Sequence, residues 1–135
     1  MSQVRVAIDP EAVATTLVDS ILRVHRALGP GLLESSYQAC LAHELMRRGC
    51  RVRCAVAVPL QYGDINLEVG YRLDMLIEEV LVVENKVVEV LAPIHTAQLL
   101  TYLKLTRIRL GFLVNWNVAR IKDGIRRVVC DPPRP

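Results

Sequence analysis

The residues best placed to do chemistry are charged groups set into runs of valine and leucine. In Val82-Val83-Glu84-Asn85-Lys86-Val87-Val88, the alternation of a strand puts Glu84 and Lys86 on one face, about 7 Å apart. Asp74 is embedded in the same way in Tyr71-Arg72-Leu73-Asp74-Met75-Leu76-Ile77. If the two segments pair through a turn at Glu78-Glu79, Asp74 and Glu84 come close together. Two hard carboxylates beside a lysine suit a Mg²⁺ or Mn²⁺ ion that keeps open water positions, with Lys86 orienting or helping to deprotonate an attacking water. Such an arrangement cleaves phosphodiesters. On spacing alone, an ordinary ion pair in which Lys86 neutralises Glu84 at an edge of the sheet is the stronger reading.

Weaker signals surround this one. His95, Gln98 and Tyr102 share one polar face of a helix, where a glutamine and a tyrosine one turn apart can reach a phosphate or a metal-bound water. By spacing alone that face is more simply a solvated one, with Tyr102 half buried. Glu34 and Tyr37 sit a turn apart at the start of another helix, where the helix dipole already favours an acid. Cys50 and Cys54 lack the second ligand pair that a zinc site needs. His25, between Arg23 and Arg26, reads as part of a solvated face rather than a ligand, and His43 likewise sits on a helix. Arg47, Arg48, Arg51 and Arg53 form a basic cluster that suits phosphate contact but equally suits plain solubility.

The elements that must position these residues follow from periodicity. Val13, Leu17, Ile21, Val24 and Leu28 form one helical stripe that stops at Gly29-Pro30-Gly31. A second helix runs from about Glu34 to Arg48, with Tyr37, Leu41 and Leu45 on its apolar face and Gly49 as its cap. From Arg51 to Leu60 the period changes to two, with Val52, Cys54, Val56, Val58 and Leu60 facing one way. After a turn at Tyr62-Gly63-Asp64, Leu67 to Ile77 and Val80 to Val88 read as two further strands of a meander. Pro93 opens a crossover helix to about Thr106, with Ile94, Ala97, Leu100 and Leu103 or Leu99 as its stripe. Arg109 to Asn115 is a buried strand, and Lys122-Asp123-Gly124 turns the chain into a last strand near Ile125 to Val129. The order is α-α-β-β-β-α-β-β in a single α/β domain spanning 1–135, with the ends (1–10 and 131–135) frayed.

Composition agrees with a chain that buries a real core. Hydrophobic residues make up 52% of the 135, and with one Trp, four Tyr and one Phe that core must be aliphatic. The formal net charge of +3 permits a phosphate-bearing partner without demanding one. No apolar run reaches the roughly 20 residues needed to cross a bilayer. Four cysteines without a secretory signal read as reduced thiols in a cytoplasmic protein.

Gly31-Leu32-Leu33-Glu34-Ser35-Ser36-Tyr37 matches the motif that names the GxxExxY family, and the resemblance extends from about Ile21 through Val129. Tyr71-Arg72-Leu73-Asp74, Glu84-Asn85-Lys86, the stretch from Pro93 to Leu103 and Lys122-Asp123-Gly124-Ile125 are similar to that family too. It belongs to the PD-(D/E)XK nuclease superfamily, whose mixed β-sheet flanked by helices has the order αβββαβ. The first helix is then an N-terminal extension. The resemblance implies metal binding by Asp74 and Glu84, Lys86 as the catalytic lysine, and Glu34 as the helical acid that completes the metal site. Gln98 and Tyr102 match the QxxxY motif that accompanies it in one branch. Two departures stand out: no proline precedes Asp74, and polar Asn85 replaces the usual apolar residue, implying an outer strand face that is less buried or lies near an interface. The expected activity is Mg²⁺-dependent hydrolysis of phosphodiester bonds, with DNA as partner and a homodimer as a reasonable assembly. The alternative is a non-catalytic nucleic-acid- or protein-binding module on the same fold.

Overall fold

Asp9 caps the first helix, its side chain accepting a hydrogen bond from the Glu11 N–H at 3.0 Å, and Pro10 occupies the first helical position that tolerates a missing N–H. This helix, α1 (Pro10–Leu28), ends at Gly29, whose φ of 66° few other residues adopt readily. Its expected stripe is buried at Val13, Leu17, Ile21 and Val24, while Leu28 remains exposed. The second helix, α2 (Glu34–Arg47), buries Tyr37, Leu41 and Leu45 as the spacing requires. The computed structural model describes residues 7–68 and 71–131; of the ends expected to fray, 1–6 and 132–135 lie outside them, whereas Asp9 and Pro10 belong to the start of α1.

A five-stranded mixed sheet follows, in the spatial order β1 (Val52–Ala57), β4 (Arg72–Ile77), β5 (Leu81–Lys86), β6 (Leu110–Asn115), β7 (Ile125–Val129). Only β5 and β6 are parallel, because the third helix, α3 (Pro93–Thr106), carries the chain across between them. Within this sheet the order from α2 onward is the expected αβββαβ followed by β7, with α1 as the extension. Two expected strands are shorter than periodicity suggests. The run Arg51 to Leu60 breaks after Ala57, and the run Leu67 to Ile77 resumes as a sheet strand only at Arg72; residues 69 and 70 within it lie outside the described ones. Between them β2 (Leu60–Tyr62) and β3 (Ile65–Leu67) form a separate hairpin that leaves Tyr62 and Ile65 exposed.

Two hydrophobic layers clamp the sheet. α1 and α2 pack against Met75, Ile77, Leu81, Val83, Phe112, Val114 and Trp116. α3 packs on the other face against Leu76, Val82, Leu113 and Val128. The buried stripe of α3 is Leu99, Tyr102 and Leu103, not the expected Ile94 and Ala97, which face solvent. Tyr102 is thus core rather than half buried. A Cβ at Gly111 would lie 3.0 Å from Leu99 and 3.3 Å from Leu103, so glycine there lets α3 sit close on β6. At Gly124, in the short 3₁₀ turn Ile121–Gly124, a Cβ would lie 2.1 Å from the Asn115 carbonyl oxygen, which admits no other residue without a backbone shift.

The first strand does not keep one buried face as its alternation predicts. Val52 joins the α1/α2 layer, whereas Val56 and Val58 join the α3 layer. The reversal falls at Ala55, which has a φ of 52°. Across the strand pair, Leu73 and Met75 likewise join opposite layers, with Asp74 between them. Both strands therefore turn over at the row that contains Asp74.

Candidate metal and catalytic site

Strands β4 and β5 meet through Glu78 and Glu79, both in the left-handed region with φ of 52° and 58°, as a type I′ hairpin turn demands. Residues without glycine's freedom hold that turn because each is anchored: Glu78 pairs with Arg51 at 3.2 Å and Glu79 with Arg53 at 2.8 Å. The ladder runs from Ile77 opposite Leu81 to Met75 opposite Val83 and then stops. At the next row Asp74 and Glu84 take over from the backbone. The Asp74 N–H donates to Glu84 Oε1 at 2.9 Å, and the Asn85 N–H donates to Asp74 Oδ2 at 2.8 Å. The strands separate here, and two carboxylates fill the gap.

This placement is electrostatically costly. Burial, reinforced by the negative charge of Asp74, pushes Glu84 up to about 8, and the Asp74 N–H and Lys86 offset that only in part. Burial also raises Asp74, against the lowering effects of the Asn85 N–H and Lys86. Glu34, in the first turn of α2, is raised by burial and by Asp74 and lowered by Lys86, so its charge is felt within the same site. Among the described residues no three His, Cys, Asp or Glu side chains converge as a ready-made cage. Asp74 and Glu84 meet directly, and Glu34 borders an open cleft of about 450 Å³ with Ser35, Gln38, Ala39 and Cys54. A pair of converging oxygen donors with no salt-bridge partner among the described residues fits a hard divalent cation.

Lys86 does not close the site as an ion pair; among the described residues it forms no salt bridge with Glu84 or Asp74. Its Nζ lies 3.4 Å from Gln98 Oε1, and the Gln98 amide nitrogen lies 3.3 Å from the Tyr102 hydroxyl. The structure thus brings Lys86, Gln98 and Tyr102 into one chain of contacts beside the acids. Burial raises the Tyr102 hydroxyl, as do the charges of Glu84 and Asp74, so it keeps its proton. His95 belongs elsewhere: its Nδ1 accepts from the Ala92 N–H at 3.0 Å and caps α3.

Several side chains behave differently from their sequence-based expectation. Asn85 is not on a less buried face. It is 0% exposed, accepts from Trp116 Nε1 at 2.9 Å, and donates towards Gln38 Oε1 at 3.4 Å and Met75 Sδ at 3.3 Å. A polar residue is tolerated there because all its polar atoms are matched. His25 is buried, not solvated, with Nε2 3.0 Å from the Val118 carbonyl oxygen. The basic cluster is divided among acids: Arg47 and Arg48 at Glu44, Arg51 at Glu78 and Arg53 at Glu79. Asn85, Gln38 and Trp116 are supporting residues that motif reading passes over; the one signal for them was an asparagine inside a valine run.

The remaining half of the helical motif has a structural task. The Tyr37 ring stacks on Trp116 at 4.8 Å, while its hydroxyl donates to the Gly29 carbonyl at 2.5 Å and accepts from the Leu32 N–H at 3.1 Å. It fastens the Gly29-Pro30-Gly31 corner to the core and so fixes the angle at which α2 presents Glu34. Compared with known proteins, the chain matches the family model of the PD-(D/E)XK nuclease superfamily over residues 11–128, from the first turn of α1 into β7. No curated protein and no solved structure matches the chain at a significant level.

Proposed function

Because the chain belongs to the PD-(D/E)XK nuclease superfamily, we propose that it is a divalent-metal-dependent nuclease that hydrolyses phosphodiester bonds in DNA, and a member of the GxxExxY family. The observation that carries this reading is the interrupted ladder, where Asp74 and Glu84 replace backbone pairing with two converging carboxylates beside Lys86. Asp74 and Glu84 would hold a Mg²⁺ or Mn²⁺ ion, with Glu34 completing its surroundings; the ion, when bound, supplies charge neutralisation at the phosphate and a more acidic bound water.

The chain's own residues supply the rest. Lys86, steadied by Gln98, presents its ammonium group to the attacking water or to a phosphate oxygen. The Tyr102 hydroxyl accepts from Gln98, which leaves its proton free for a second oxygen of the scissile group. The buried face of β5 steadies these groups: Asn85, between Glu84 and Lys86, is held by Trp116 and Gln38. The reading places the protein in the cytoplasm and takes a homodimer as its working unit, since one chain of this size covers little of a duplex. No helix among the described residues is long and apolar enough to cross a membrane.

The test is cleavage of supercoiled plasmid and of short duplex and single-stranded DNA. Chelator should stop cleavage, Mg²⁺ or Mn²⁺ should restore it, and Ca²⁺ should support binding with little turnover. Cleavage that persists in chelator would overturn the mechanism, and binding without cleavage under every ion would leave a binding module on the same fold.

A further inference from the structure

Away from the acidic pair, α1 and α2 bring four arginines together. Arg23 and Arg26 lie on successive turns of α1, and Arg47 and Arg48 lie at the end of α2. Three of them surround one carboxylate: Arg48 Nε hydrogen-bonds Glu44 Oε1 at 3.1 Å, while Arg23 and Arg47 approach the same group at 3.6 and 3.5 Å. Glu44 is only 7% exposed and sits beneath them, whereas the side chains of Arg23 and Arg47 are 66% and 61% exposed. Arg26 has no acidic ion-pair partner among the described residues. Between the helices lies a cleft of about 460 Å³ lined by Asp19, Leu22, Arg23, Arg26, Ala27 and Arg48.

Four guanidiniums against Glu44 and Asp19 leave two positive charges in surplus. Each guanidinium carries five N–H donors in a planar fork, so one buried carboxylate cannot satisfy them. The helix dipole accounts for arginines in the last turns, but Arg23 lies more than a turn before the end of α1. Glu44 also restricts the motion of the groups around it, which lowers the entropy lost when they bind a ligand.

We infer that this cleft is a second, oxyanion-binding site that takes a phosphate-type group. Glu34 and Glu44 are ten residues apart on α2, about 15 Å along the helix axis, so the cleft and the acidic pair cannot share one phosphate. A nucleic-acid backbone several nucleotides long reaches both, and free phosphate offers the same oxygens. The first source rests on the nuclease reading; the second does not.

The experiment compares the wild type with Arg23→Glu/Arg26→Glu, and with Arg26→Ala, which touches no ion pair. Folding is checked by circular dichroism. Binding of a labelled duplex is followed by anisotropy in Ca²⁺ over a range of salt, and inorganic phosphate is titrated against the arginine Nε–Hε resonances. The double variant should weaken duplex affinity by about tenfold or more and reduce the salt slope by about two, one for each lost phosphate contact. Hydrolysis of bis(p-nitrophenyl) phosphate, too small to span both sites, should stay unchanged. Duplex affinity and salt slope equal to wild type in both variants would overturn the site as a backbone contact. If the wild type neither binds nor cleaves DNA, yet phosphate shifts arginine resonances in a way that Arg26→Ala abolishes, the oxyanion site stands with free phosphate as its source and the nuclease reading falls. Absence of both responses overturns the site.

Discussion

Glu44 and Glu84 are both buried glutamates, 7% and 3% exposed, yet their surroundings push them in opposite directions. Burial raises both. At Glu44 the hydrogen bonds and charges of Arg48 and Arg47 more than offset it, and the carboxyl ends below its ordinary value. At Glu84 the neighbour is another carboxyl, Asp74, and the group ends near 8. One acid is neutralised by the fold itself; the other has no salt-bridge partner among the described residues. Burial alone therefore does not mark a site, and the absence of a built-in counter-charge does.

The sharpest way to test this contrast is activity. Glu84→Gln, like Lys86→Ala, should reduce metal-dependent cleavage by about a hundredfold or more, whereas Glu44→Gln should leave hydrolysis of a small phosphodiester near wild type. Equal loss in both glutamate variants would erase the distinction. Tyr37→Ala should come next in size, costing about 3 kcal/mol or more of stability in a urea or thermal melt, because it removes a buried ring and the tie to Gly29 together. A smaller cost would show that the Gly29-Pro30-Gly31 corner holds without it.

Proton linkage separates the two glutamates more finely. Folded Glu84 and Asp74 retain protons at pH values where the unfolded chain has released them. Between the ordinary carboxyl range and about 8 the folded state thus binds more protons, and metal-free stability should fall as pH rises through that window. Glu84→Gln should flatten this dependence, and saturating Mg²⁺ should oppose it. Melting curves from pH 5 to 9 that do not fall would contradict the environment assigned to Glu84. Glu44 has the opposite sign: its contribution is present at neutral pH and is lost on acidification, so Glu44→Gln should lower the melting temperature most at pH 7 and least at acid pH. The smallest effect on stability belongs to Gln98→Ala, which should melt within a few degrees of wild type, since the side chain is exposed, while turnover falls because Lys86 loses its tether.

Much of this protein is determined by local pattern. The 3.6-residue stripes of α1 and α2, the glycines that end them, Pro93 at the start of α3 and the short aliphatic strands each follow from properties of a few neighbouring residues, and so the element order is legible in the sequence. The alternation of β5 likewise places Glu84 and Lys86 on one face, and the Glu78-Glu79 turn brings Asp74 towards them. Contacts between distant segments decide the rest. Ala55 and Asp74 turn two strands over together, so the single buried face predicted for β1 is split between layers. The stripe of α3 shifts to Leu99, Tyr102 and Leu103 because Gly111, on another strand, lets the helix settle there. Asn85 and His25 look out of place in sequence because Trp116, Gln38 and Val118 satisfy them from elsewhere. Periodicity reports which side of an element is apolar; only packing decides what that side meets, and the charge state of a buried acid depends on what it meets.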